Sequence, residues 1–137
     1  MGDTIFTPKG KPMYRAGDIL VVDDEVNIAD LINEVLSEEG YTIRQAHNGS
    51  SALAQIQAGV PGLILLDLSM PDMAGTTLLR HIRDSGLTDV PVVIMTAGAN
   101  ALGDLIAQGA SGLLAKPFDL EDLVRCVAHH VPSARIV

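Results

Sequence analysis

The sequence predicts a single α/β domain in which a five-stranded parallel sheet is covered on both faces by five helices. Two observations predict it. Short, continuous apolar runs of strand length alternate with longer segments whose apolar residues recur at helical spacing. The connections between them are short, so each crossover returns the next strand parallel to the last, with right-handed sense. Runs that are apolar without alternation belong to strands buried on both faces.

Residues 1–15 stand apart as an N-terminal extension. Pro8, Gly10 and Pro12 break any periodicity, so an irregular lead-in is expected there, with the domain itself spanning 16–137. Ile19-Leu20-Val21-Val22 is the first buried strand and runs into Asp23-Asp24-Glu25. A helix follows with Ile28, Leu31, Ile32, Val35 and Leu36 on one face, ended by Gly40. Tyr41 to Ala46 is mixed in polarity and suits an outer strand. Asn48-Gly49 turns the chain, and Ser50 is the expected cap of a second helix carrying Ala52, Leu53 and Ile56. Leu63-Ile64-Leu65-Leu66-Asp67 is the third strand. The third helix opens at Gly75 with Leu78, Leu79 and Ile82 inward, and stops at Gly86. A fourth strand, Val90 to Met95, ends in Thr96. The fourth helix, about 100–108, is expected to bury Leu102, Leu105 and Ile106, with Gly103 inside it at a cost of about 1 kcal/mol relative to Ala. A short fifth strand, Gly112 to Ala115, runs into Lys116-Pro117. The last helix is expected to pack Leu120, Leu123, Val124, Val127 and Val131.

Composition narrows the function. Acids exceed bases 17 to 9, for a net charge of −8, which argues against direct nucleic-acid binding, where Lys and Arg must face phosphate. A single cysteine, Cys126, excludes an internal disulfide framework and reads as a packing residue. There is no signal-peptide pattern and no apolar run of membrane-spanning length, so a cytoplasmic protein is expected. His47, His81, His129 and His130 lack metal-ligand spacing and read as surface residues. The Arg80-His81-Ile82-Arg83 stretch reads as a solvated helix face, and Asp72 as a turn or capping residue.

The polar residues at the strand ends carry the chemistry. Asp23 and Asp24 follow the first strand, Asp67 ends the third, Thr96 follows the fourth and Lys116 the fifth. In an open parallel sheet all five arrive at the carboxyl edge, where ligands gather. Three carboxylates repel one another unless a cation compensates them. All-oxygen ligands with no nearby His or Cys point to Mg²⁺, with Mn²⁺ possible, and not to zinc. A carboxylate nucleophile with a divalent metal, a lysine and a hydroxyl suits phosphoryl transfer onto Asp67.

Four segments, Ile19 to Glu25, Leu66 to Gly75, Pro91 to Ala97 and Leu114 to Phe118, together resemble the response-regulator receiver domain of bacterial two-component signalling. The resemblance covers about Asp18 to His130. It implies a flavodoxin-like sheet of strand order 2-1-3-4-5. It also implies a phosphoprotein switch that catalyses its own phosphorylation and dephosphorylation and acts on no separate substrate. Asp67 would accept a phosphoryl group from a histidine kinase or phosphotransfer protein. Asp24, Asp67 and the Ser69 backbone carbonyl would hold Mg²⁺, with Asp23 acting partly through water. Thr96 would bond the phosphoryl group, Lys116 would pair with it, and the Lys116-Pro117 bond would be cis. A downstream target protein would then read the face formed by the fourth helix, fifth strand and fifth helix.

One position departs from the pattern. Receivers usually carry Tyr or Phe three residues before the lysine, and this chain carries Leu113. With no hydroxyl and less bulk, a smaller or differently routed conformational response is expected there. The alternative reading within the fold is a degenerate receiver that is not phosphorylated and serves as a protein-interaction module. A flavin module would need a Gly- and Ser-rich phosphate loop where Asp23-Asp24-Glu25 stands. An aspartyl phosphatase typically has a second Asp where Ser69 stands.

Overall fold

The computed structural model describes residues 15–70, 72–97 and 102–131. The order is β1 (Arg15–Val22), α1 (Val26–Glu38), β2 (Thr42–Ala46), α2 (Gly49–Ala58), β3 (Pro61–Asp67), α3 (Gly75–Asp84), β4 (Val92–Thr96), α4 (Leu102–Ala107), β5 (Gly112–Ala115) and α5 (Leu120–His130). All strand pairs are parallel, and the sheet order is β2-β1-β3-β4-β5, the doubly wound order expected. β2 lies on one side of β1 and β3 on the other, so the chain changes direction of travel at β1. That switch point opens a crevice above the ends of β1 and β3. The expected lead-in falls on 1–14, outside the described residues, apart from Arg15, which opens β1 four residues earlier than Ile19.

The continuous apolar runs have the double burial that their composition predicts. Leu20, Val22, Ile64, Leu66, Val92 and Ile94 face one layer, filled by Ala52 and Ile56 of α2, Leu78, Leu79 and Ile82 of α3, and Leu105 of α4. Ile19, Val21, Leu63, Leu65, Val93 and Met95 face the other, filled by Ala29, Ile32 and Leu36 of α1 and Leu123 and Val127 of α5. The period of two along each strand divides one apolar run between two cores. β2, at the edge, keeps the mixed pattern expected of it.

Several expectations need correction. Leu31, Ile106 and Leu120 are 40%, 46% and 45% exposed, not buried. In α1 the buried stripe is narrower than the apolar periodicity, defined by Ala29, Ile32 and Leu36, and in α4 Leu105 is buried while Ile106 is not. Leu120 is the first residue of α5, at the helix end. The side chain of Leu102 lies outside the described residues. The cap of α2 is Asn48, whose side chain accepts from the Ser51 amide at 2.7 Å, and the helix begins at Gly49 before the expected Ser50. β4 begins at Val92, two residues later than expected, and includes Thr96.

Arg83 corrects the reading of a solvated helix face. Arg80 and His81 are exposed, but the Arg83 guanidinium is half-buried. Its Nε and Nη2 donate to Gly109 O at 3.0 and 2.6 Å, and its Nη1 donates to Leu87 O and Val90 O, each at 2.7 Å. One side chain thereby satisfies carbonyls on the turn after α4 and on the segment before β4. Arg83→Ala leaves those carbonyls without their charged donor. We expect a loss of about 2 kcal/mol in unfolding free energy by urea denaturation, with the m-value unchanged.

Candidate functional site

Sheet register builds the site. Val22 pairs with Leu66, so Asp23 and Asp67 arrive side by side at the carboxyl ends of β1 and β3. Asp67 pairs with Met95, and Thr96 with Ala115, which sets Thr96 and Lys116 along the same edge. The Lys116 amide donates to Thr96 O at 2.8 Å, and the Lys116-Pro117 bond is cis. Asp23, Asp67 and Thr96 are buried, while Asp24 is exposed.

The carboxylates of Asp23, Asp24 and Asp67 bring one oxygen each to within 4.8 Å of the others. The Lys116 ammonium donates to Asp23 Oδ2 at 3.1 Å and lies 3.5 Å from Asp67 Oδ1. Backbone amides hold the carboxylates in place. Asp23 Oδ1 accepts from Glu25 N at 2.9 Å, and Asp67 Oδ1 accepts from Ser69 N at 3.4 Å. Sequence reading gave Glu25 no part in the site, yet its Oε1 lies 3.9 Å from the same ammonium. Its place directly after Asp24, at the start of α1, was the available signal.

Burial raises the Asp67 pKa, the nearby charge of Asp23 raises it further, and together they push it to about 6 against the pull of Lys116 and the Ser69 amide. For Lys116 burial acts downward, but the hydrogen bond to Asp23 and the charges of Asp23, Asp67 and Glu25 outweigh it and raise the pKa. Among the described residues one ammonium stands against the three clustered carboxylates and Glu25, so negative charge there exceeds positive. The oxygen-only donor set and the partial exposure through Asp24 fit a hard divalent cation that keeps some of its water.

The remaining residues fall around this centre. Leu113 is half-buried, pairs with Ile94 and packs on the α2–α3 layer. Asp72 does not reach the carboxylates: its oxygens face the Gly49 and Ser50 amides at 3.1 and 3.4 Å. Cys126 packs against the α1–α5 layer, and burial pushes its thiol pKa up. A groove of about 310 Å³ adjoins Lys116, lined by Ile28, Leu31, Ala97, Pro117 and Phe118 with Glu25 at its rim.

The family model for the response regulator receiver domain matches residues 19–128. The chain belongs to the response-regulator receiver family. Among similar proteins, sporulation initiation phosphotransferase F of Bacillus subtilis is 37% identical over 118 residues, covering 83% of this chain and 93% of that protein. The transcriptional regulatory protein DltR of Streptococcus agalactiae is 32% identical over 108 residues, covering 77% of this chain and 48% of that protein. This receiver therefore spans about half the length of the transcriptional regulators it matches. Among solved structures, the chemotaxis protein CheY4 of Vibrio cholerae superposes with a TM-score of 0.79 at 28% identity, covering 85% of this chain and 100% of that one. The receiver domain of NtrX from Brucella abortus gives a TM-score of 0.77 at 36% identity, covering 82% of this chain and 97% of that one. No helix among the described residues of this receiver is long and apolar enough to cross a membrane.

Proposed function

We propose that this receiver takes a phosphoryl group on Asp67 in a Mg²⁺-dependent reaction, from a histidine kinase or phosphotransfer protein. The observation that carries the reading is the arrangement of Asp67 at the end of β3, with Asp23, Asp24 and Lys116 gathered about it. Asp24, Asp67 and the Ser69 carbonyl would hold the cation, with Asp23 acting partly through water. The cation supplies positive charge against the phosphoryl oxygens.

A carboxylate oxygen of Asp67 forms the new bond to phosphorus. The bond from phosphorus to the donor's imidazole nitrogen breaks, and the imidazole keeps that electron pair. Above pH 6 the Asp67 carboxyl is ionised and nucleophilic. Lys116 pairs with the transferred group and offsets the charge developing on its oxygens, a role supported by its ammonium lying 3.1 Å from Asp23 and 3.5 Å from Asp67. The Thr96 hydroxyl donates to the phosphoryl group. Its motion shifts β4 and α4, and so alters the α4–β5–α5 face that a downstream protein reads. Leu113, without a hydroxyl, gives that motion no polar partner on β5.

Intact mass after incubation with acetyl phosphate tests the reading. Wild type gains one phosphate adduct that requires Mg²⁺. Asp67→Asn gains none. An unmodified wild type that also fails to bind Mg²⁺ overturns it.

A further inference from the structure

Asp72 lies in the loop after β3, yet its carboxylate is bound to a different element. Its two oxygens face the amides of Gly49 and Ser50, the first residues of α2, at 3.1 and 3.4 Å. Those amides are unsatisfied within the helix and form its positive end. The same helix already has a side-chain cap in Asn48. The neighbouring residue, Met73, lies so close to Gly49 that a Cβ there would sit 2.8 Å from Met73 Cβ. The loop after β3 and the start of α2 are thus clasped twice, by hydrogen bonds and by contact.

Both partners of the clasp lead back to the carboxylate cluster. On one side, Ala46 O at the end of β2 accepts the Asp23 amide at 3.0 Å, and the chain passes at once into Asn48 and Gly49. On the other, the loop starts at Asp67 and runs through Ser69 to Asp72. The bond from Asp72 to α2 closes a ring around the site, with Asp23 and Asp67 on it.

We propose that Asp72 is a positioning residue for the divalent cation: by tying the loop after β3 to α2 it holds Asp67 and the Ser69 carbonyl at a fixed spacing from Asp23. This role rests on the cation reading above. Mg²⁺ requires near-octahedral ligand placement, and residues that orient ligands commonly change affinity tenfold or more. The competing account is that Asp72 merely caps α2, and Asn48 provides the control, because its side chain caps the same helix through the Ser51 amide.

The test is a calorimetric Mg²⁺ titration of wild type, Asp72→Ala, Asp72→Asn and Asn48→Ala, with amide hydrogen exchange at Ser69 and Met70 in metal-free protein. Asp72→Ala weakens Mg²⁺ binding about tenfold and speeds exchange at both amides. Asp72→Asn keeps an oxygen for the Gly49 amide and restores most of the affinity. Asn48→Ala lowers the Tm as Asp72→Ala does, but leaves Mg²⁺ affinity and those amides unchanged. Equal affinity in wild type and Asp72→Ala overturns the positioning role alone. So does an Asp72→Asn as weak as Asp72→Ala, which would make the effect one of charge, or an Asn48→Ala as weak, which would make it one of helix capping. A wild type that takes no Mg²⁺ overturns the cation reading, and the positioning role with it.

Discussion

Without divalent cations, Asp67→Asn is more stable than wild type at neutral pH, by about 2 to 3 kcal/mol. The cause is the buried carboxylate whose pKa is raised from 3.8 to about 6 by burial first and then by the charge of Asp23. An acid held above its unfolded pKa binds protons more tightly in the folded state. Between those two pKa values the folded state carries more protons than the unfolded chain, so stability falls as pH rises through that window. Below 3.8 the group is neutral in both states and imposes no penalty. Above 6 it is ionised in both, and the full penalty is present. Asparagine has nearly the same shape, retains an acceptor for the Ser69 amide and does not titrate. Lys116 keeps its shorter contact, to Asp23 at 3.1 Å. The difference between variant and wild type therefore opens between about pH 4 and pH 6 and is level above that.

Urea denaturation across that range in EDTA measures this difference directly, because every other titrating group is common to both proteins. A flat difference, or a wild type more stable at neutral pH, would count against the account. Added Mg²⁺ reverses the order. The cation favours the ionised carboxylate and stabilises wild type by mass action, while the asparagine variant has one charged ligand fewer.

The grouping of these polar side chains at one edge was legible in the sequence. Asp23, Asp67 and Lys116 break apolar runs abruptly, and a parallel sheet brings all strand ends of one sense to one edge. The register Val22 to Leu66 and Thr96 to Ala115 then makes neighbours of residues far apart in the chain. The two-layer core was legible for the same reason, since a strand apolar on both faces needs cover on both. Helix faces were read less well. An apolar residue at helical spacing is buried only if the partner surface extends that far, and for Leu31 and Ile106 it does not. Long-range polar contacts carried no sequence signal. Arg83 reaching Gly109 and Asp72 reaching Gly49 depend on where unrelated turns come to lie, and Arg44 paired with Asp18 at 3.1 Å depends on the register of β1 against β2.

Gly75→Ala destabilises the protein by about 3 kcal/mol, near the top of the usual range for overpacking. A Cβ at Gly75 would lie 2.8 Å from Asp67 O, 2.8 Å from Leu68 Cα and 3.0 Å from Leu68 O. All of these are backbone atoms, so no side-chain rotation relieves the contact. The Gly75 amide also donates to Leu68 O at 2.9 Å, which holds the start of α3 against the end of β3. Relief requires α3 to retreat and that hydrogen bond to lengthen, or the Asp67 backbone to move. Either outcome disturbs the placement of the Asp67 carboxylate, so Mg²⁺ affinity falls along with stability. Gly103→Ala supplies the control. It is the same chemical change inside a helix, but nothing lies within 4 Å of the new Cβ, and helix propensity alone predicts a gain of about 1 kcal/mol. Urea midpoints and Mg²⁺ titrations on the two variants should therefore move in opposite directions from wild type for stability, with affinity reduced only in Gly75→Ala. A Gly75→Ala protein as stable as wild type would mean that the close approach of α3 to β3 is not needed to seat Asp67.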